Sequence, residues 1–135
     1  MIYLLDTNAV SDLMRESPDV RRRLNAIAPA DRAITCTIVR GEILYGISRL
    51  VPGKRKDDLI AKSGGVFAVL PCEPIPTLAG DLYGGLKVVQ QAKGLSLDEN
   101  DLWIAATALA LGATLVTRDH DYSRIEGLSV QDWTA

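Results

Sequence analysis

Histidine is almost missing from this chain, and that scarcity is the first limit on its chemistry. The 135 residues include one histidine, two cysteines, one phenylalanine and two tryptophans. With only His120, and with Cys36 and Cys72 far apart and in no C-x-x-C pair, no zinc centre of the Cys/His kind can be assembled. In a reducing compartment the two cysteines read as buried free thiols. His120 reads as an exposed loop residue, with acid–base work as the alternative. Neither G-x-G-x-x-G nor G-x-x-x-x-G-K-[ST] occurs, so the common Gly-rich phosphate cradles are excluded. No apolar run approaches the roughly 18 residues that a membrane helix needs. Asp6 also interrupts the first run too early for a secretory signal, so a cytoplasmic protein is expected. Neither charge sign prevails. The formal charge of −2 excludes a lysine-covered nucleic-acid binder but permits a basic face around an acidic centre.

What is present is ordinary globular material, 47% hydrophobic and 24% charged, in a length that suits one domain over residues 1–135. The chain opens with the apolar run Met1 to Leu5, cut off by Asp6-Thr7-Asn8. A buried parallel strand has this form, and it delivers its polar residues to the carboxyl edge of the sheet, where ligands sit in open α/β folds. Asp6 is therefore a functional candidate. The plain alternative is that Asp6 or Asn8 caps the helix that follows.

That helix spans Ala9 to about Glu16, with Val10, Leu13 and Met14 on one side. Ser17-Pro18 opens a second helix, turning Val20, Leu24 and Ile27 inward and Arg21, Arg22 and Arg23 outward. The arginines read first as a solvated face and second as phosphate contacts. Ala33 to Cys36 is a strand, and Thr37 caps a helix from Ile38 to Leu50 that buries Val39, Ile43, Ile47 and Leu50 and carries Glu42 in its second turn. Another helix runs from Lys54 to Lys62 and is closed by Ser63-Gly64-Gly65, after which Val66 to Leu70 reads as the third strand. A helix from Thr77 to Lys93 buries Leu78, Leu82, Leu86 and Val89, and its Gly80, Gly84 and Gly85 suggest close packing. Ser96 to Glu99 fits a capping box ahead of an apolar helix from Asn100 to Leu111, with Asp101 near its start. Ala113 to Val116 is a fourth strand, running into Thr117-Arg118-Asp119-His120-Asp121, and a short strand follows near Leu128 to Val130.

Two strands thus end near aspartates, Asp6 and Asp119, and two helices carry Glu42 and Asp101 near their amino ends. Alternating β and α elements bring all four to one sheet edge. Several carboxylates in an apolar neighbourhood repel, and a divalent cation resolves the conflict. With oxygen ligands only, Mg²⁺ or Mn²⁺ fits. Such an ion activates water, and with no Ser/His or Cys/His pair available, phosphodiester hydrolysis is the natural chemistry.

Leu4-Leu5-Asp6-Thr7-Asn8, Gly41-Glu42-Ile43-x-x-Gly46, Asn100-Asp101-x-x-Ile104-Ala105-Ala106 and Leu115-Val116-Thr117-Arg118-Asp119-x-Asp121-Tyr122 together resemble PIN-domain ribonucleases. More narrowly they resemble the VapC toxins of toxin–antitoxin modules, and Gly127-Leu128 with Asp132-Trp133 is similar to their usual end. The resemblance implies a Rossmann-like three-layer α/β/α sandwich around a central parallel sheet, with a Mg²⁺- or Mn²⁺-dependent endoribonuclease site. It assigns Asp6, Glu42 and Asp101 as the core acids, with Asp6 and Asp101 touching metal. Either Asp119 or Asp121 is the fourth acid, and Asp119 is favoured because it follows the strand more closely. Thr7, Asn8 and Thr117 would orient acids or water. The implied substrate is structured RNA, tRNA or ribosomal RNA, cut in a single-stranded loop. Phosphate contacts would come from Arg21, Arg22, Arg23, Lys54, Arg55, Lys56 and Arg118. A VapB-like antitoxin lying across the groove and a homodimer, with the Thr77–Lys93 helix as one surface, are also implied. The rival readings are a haloacid-dehalogenase-like or other Mg-dependent phosphatase, and a catalytically silent PIN-like binding module. The haloacid-dehalogenase pattern wants an aspartate where this chain has Asn8.

Overall fold

Strands that are apolar along their whole length need cover on both faces. The computed structural model describes residues 1–95 and 97–135. The elements run β1 (Ile2–Leu5), α1 (Thr7–Met14), α2 (Pro18–Asn25), β2 (Arg32–Cys36), α3 (Thr37–Ser48), α4 (Lys54–Val69), β3 (Cys72–Glu73), α5 (Thr77–Ala92), α6 (Glu99–Leu111), β4 (Thr114–Val116), a 3-10 turn (His120–Arg124) and β5 (Val130–Gln131). The five strands form a parallel sheet in the order β3-β2-β1-β4-β5, and the helices flank it to give the expected α/β/α sandwich.

β1 is central. Leu4 pairs with Ile34 on one side and Leu115 on the other, and all three are fully buried. The chain winds outward from β1 toward β2 on one side and toward β4 on the other, so the winding direction reverses between β1 and β4. Outside the carboxyl ends of the strands, that reversal opens the crevice where open α/β sheets place their ligands. Leu5 and Val116 end the β1–β4 ladder, and the Asp6 N–H donates to the Val116 carbonyl at 3.1 Å. Asp6 and Thr117 therefore leave the sheet side by side.

Four sequence expectations are corrected. Val66 to Leu70 is not a strand. α4 continues through Gly64 and Gly65 to Val69, because Leu59, Ser63, Val66 and Leu70 recur at steps of four, three and four and form one buried or half-buried stripe. Burial of that stripe outweighs the roughly 1 kcal/mol that each helical glycine costs. The third strand is instead the two-residue β3, which leaves Cys72 exposed on the sheet edge, while Cys36 is buried as expected. α5 turns a different face inward: Ala79 and Gln90 are its buried residues, Leu82 and Leu86 are half-buried, and Leu78 and Val89 lie exposed. The last strand begins at Val130, two residues later than expected. The capping-box position Ser96 lies outside the described residues, and the α6 N-cap is Asp98, whose Oδ1 accepts the Asp101 N–H at 2.8 Å. Among the described residues, no helix is long and apolar enough to cross a membrane.

Candidate active site

Asp6 answers to both readings of its position. As N-cap of α1 it accepts the Ala9 N–H at 2.9 Å through Oδ1, which leaves its second carboxylate oxygen for other work. The residue is only 3% exposed. Burial pushes its carboxyl up to about 6, against the pull of hydrogen bonds from the Thr117 hydroxyl and the Ala9 N–H, and the nearby charge of Asp119 adds to the rise. Arg118 is the cation that opposes this, but its guanidinium is committed elsewhere. Arg118 Nε and a terminal nitrogen donate to the two oxygens of Asp12 at 3.0 and 3.3 Å, and Asp12 also takes Arg15 at 2.5 Å.

Asp101 lies in the first turn of α6 and is likewise pushed up to about 6. Burial is the main cause, and the charges of Asp98, Glu42 and Asp119 act in the same direction. The hydroxyl of the buried Tyr122 donates to Asp101 Oδ1 at 2.8 Å and opposes the rise. Tyr122 is itself held far above its usual range by burial and by the Asp101, Asp6 and Asp119 charges around it. Glu42 accepts the Thr7 hydroxyl at 2.7 Å, so α1 and α3 are joined at the sheet edge. Asp119 caps the 3-10 turn by accepting the Asp121 N–H at 2.9 Å, and its own N–H donates to Thr117 Oγ1 at 3.0 Å.

The structure therefore gathers Asp6, Glu42, Asp101 and Asp119 at one crevice, where each alters the ionisation of at least one other group. Asp121 is exposed and stands outside this set. The acids do not form a closed cluster: among the described residues, no three Asp, Glu, His or Cys side chains converge tightly enough to hold an ion. Each carboxylate is turned instead toward its own hydrogen-bond donor. The donor set still suits a hard divalent cation, since every side chain offers oxygen and the buried Asp6 forms no ion pair among the described residues.

The basic residues are more scattered than the sequence suggested. Arg22 pairs with Asp19 at 3.3 Å, Arg23 lies 5.9 Å from the Trp133 ring, and Arg21 borders a cavity with Leu13, Met14 and Lys62. Lys54, Arg55 and Lys56 open α4, where Lys56 donates to the carbonyl of Ser48, the last residue of α3 and almost two turns beyond Glu42. Asn8 is exposed, and His120 is exposed as expected. Sequence reasoning missed Asp98 and the anchoring role of Tyr122. The signal for the second was a hydroxyl on an otherwise apolar buried position, since a buried tyrosine hydroxyl needs a partner.

A parallel sheet with this winding, flanked by helices and with acids at its reversal, places the chain among the Rossmann-like α/β domains. A PIN domain model matches residues 3–128, and the chain belongs to that family, among its VapC ribonucleases. It is 33% identical over 139 residues to Ribonuclease VapC1 of Haemophilus influenzae strain R2866, covering 99% of each chain. To Ribonuclease VapC2 of Rickettsia felis it is 32% identical over 135 residues, covering 98% of each. Among solved structures it is similar to VapBC2 from Rickettsia felis bound to a DNA fragment from its promoter, with a TM-score of 0.90, 31% identity and coverage of 98% and 99%. PIN-domain ribonucleases of the VapC kind depend in general on a divalent metal.

Proposed function

We propose that the chain is the toxin ribonuclease of a VapBC-type module and cleaves structured RNA in the cytoplasm. Its metal site would be built from Asp6, Glu42, Asp101 and Asp119 and would take Mg²⁺ or Mn²⁺. The observation that carries this reading is Asp6: a nearly buried carboxylate at the winding reversal, with its nearest cation given to Asp12. Asp6 and Asp101 are the direct ligands, and Glu42 and Asp119 complete the acidic wall.

A bound ion would supply charge neutralisation at the phosphodiester and lower the pKa of the attacking water. The protein's own residues prepare for it. Thr7 holds Glu42, Tyr122 holds Asp101, and Thr117 lies between Asp6 and Asp119, so these hydrogen bonds would orient the carboxylates toward a bound ion. A VapB-type antitoxin is the partner. A second copy of the chain would pair through α5, whose Leu78, Val88 and Val89 are exposed.

The test is cleavage of folded tRNA and ribosomal RNA fragments with Mg²⁺, with Mn²⁺ and with chelator, by the wild type, Asp6→Asn and Asp101→Asn. Cleavage that needs the ion and is lost in both variants is the expected result. Release of phosphate from monoesters without RNA cutting would establish the phosphatase reading, and inactivity on both substrates the silent module.

A further inference from the structure

The helix that carries Glu42 continues beyond it as an open face. Glu42, Tyr45, Gly46 and Arg49 follow at steps of three, one and three residues, so they lie along one side of α3 and its cap. Thr7, Glu42, Tyr45, Gly46, Arg49 and Asn100 line a cavity of about 560 Å³, within the usual size range of ligand pockets. Thr7 and Glu42 belong to this cavity and to the acidic crevice alike, so the two are continuous. Tyr45 is 69% exposed, and its aromatic face meets the Arg49 guanidinium at 5.9 Å. Arg49 makes no ion pair among the described residues. Gly41 and Gly46 leave the floor open, with no atom within 4 Å of where a Cβ would stand.

A lone exposed tyrosine needs no explanation. This one stands about 4.5 Å along the helix axis from Glu42, and Arg49, a cation with no ion pair among the described residues, stands about 10 Å along the same axis from Glu42. We propose that this face of α3 is the subsite for an unpaired nucleotide flanking the scissile phosphodiester, with its base stacked on Tyr45 and a phosphate against Arg49. The inference rests on the ribonuclease reading. The wall favours a nucleotide over an apolar helix of a protein partner, because Thr7, Thr37, Glu42, Arg49 and Asn100 set hydrogen-bonding and charged groups around the tyrosine ring, which a base and its phosphate can use and an apolar helix face cannot. Aromatic stacking is indifferent to base identity, so the subsite would hold single-stranded RNA without dictating its sequence.

The experiment measures anisotropy of a fluorescein-labelled single-stranded RNA of about 12 nucleotides bound to the Asp6→Asn protein in Mg²⁺. In that background Tyr45→Ala weakens binding about tenfold, while Tyr45→Phe and Tyr45→Trp stay within about twofold. Arg49→Ala weakens binding and flattens its salt dependence by about one phosphate contact. With Asp6 restored, Tyr45→Ala raises KM for RNA cleavage much more than it lowers kcat. Thermal melting confirms that the exposed substitutions leave the fold intact. Unchanged affinity in Tyr45→Ala overturns the subsite, as does an equal loss in Tyr45→Phe, or a loss confined to antitoxin capture. If the wild type cuts RNA and Tyr45→Ala binds and cuts equally well, the subsite falls and the nuclease stands. If the wild type cuts no RNA while Tyr45-dependent binding persists, the nuclease reading falls, and with it the subsite beside a scissile bond, leaving a face that only holds single-stranded RNA.

Discussion

Tyr122 and Asp101 are joined by a hydrogen bond of 2.8 Å between a buried phenol and a carboxylate that forms no ion pair among the described residues. The bond fixes Oδ1 of Asp101 against the phenol hydroxyl and so restricts how the carboxylate can turn. Tyr122→Phe keeps the buried ring and removes only the donor. Loss of a group that orients a metal ligand costs about 10- to 100-fold in metal affinity or activity. Cleavage rate as a function of Mg²⁺ concentration should move to higher concentration in the variant, and overlapping curves would reject an orienting role.

Thr7 does the same for Glu42 from the neighbouring helix, through its 2.7 Å bond. Thr7→Val is nearly isosteric but leaves the carboxylate free to swing. Activity should fall by about tenfold or more, while Thr7→Ser, which restores the hydroxyl, recovers most of it. A serine variant as weak as the valine one would place the effect in packing.

Burial raises the Asp6 carboxyl from 3.8 to about 6, so the folded protein binds this proton more tightly than the unfolded chain does. A raised folded value gives stability that is complete below about pH 4 and is lost as pH climbs through about 6. Asp101 moves in the same direction. In chelator, Asp6→Asn keeps an oxygen to cap α1 and has no charge to bury. It should melt higher than the wild type at pH 7.5, by up to about 3 kcal/mol for a two-unit shift, and converge with it near pH 4. Adding Mg²⁺ should stabilise the wild type and leave the variant unmoved. Melting curves that keep their spacing across this pH range would contradict the burial account.

The site was legible because its acids stand at element boundaries, where pattern reading is informative. Asp6 follows an apolar strand, Glu42 and Asp101 sit in the opening turns of helices, and Asp119 follows β4 closely. The resemblance to PIN-domain ribonucleases then named Asp6, Glu42 and Asp101 and left the fourth acid between Asp119 and Asp121. What stayed hidden was contact across the fold. No spacing reveals that Arg118 is given to Asp12, 106 residues away, or that Tyr122 reaches Asp101. The short β3 has no pattern to read at two residues, and α5 presents two apolar stripes between which sequence alone cannot choose.

α4 was misread because Ser63-Gly64-Gly65 has the look of a stop. In the fold these residues are helical, neither glycine has a positive φ, and a Cβ on Gly64 meets nothing within 4 Å. Alanine at such a site gains helix propensity and narrows the unfolded ensemble. Gly64→Ala should therefore raise stability by about 0.5–1 kcal/mol in urea unfolding, with the slope unchanged. A turn between a helix and a strand would respond in the opposite sense, because there glycine supplies backbone conformations that alanine resists. The sign of this one substitution thus separates a continuous α4 from the broken element that the sequence suggested.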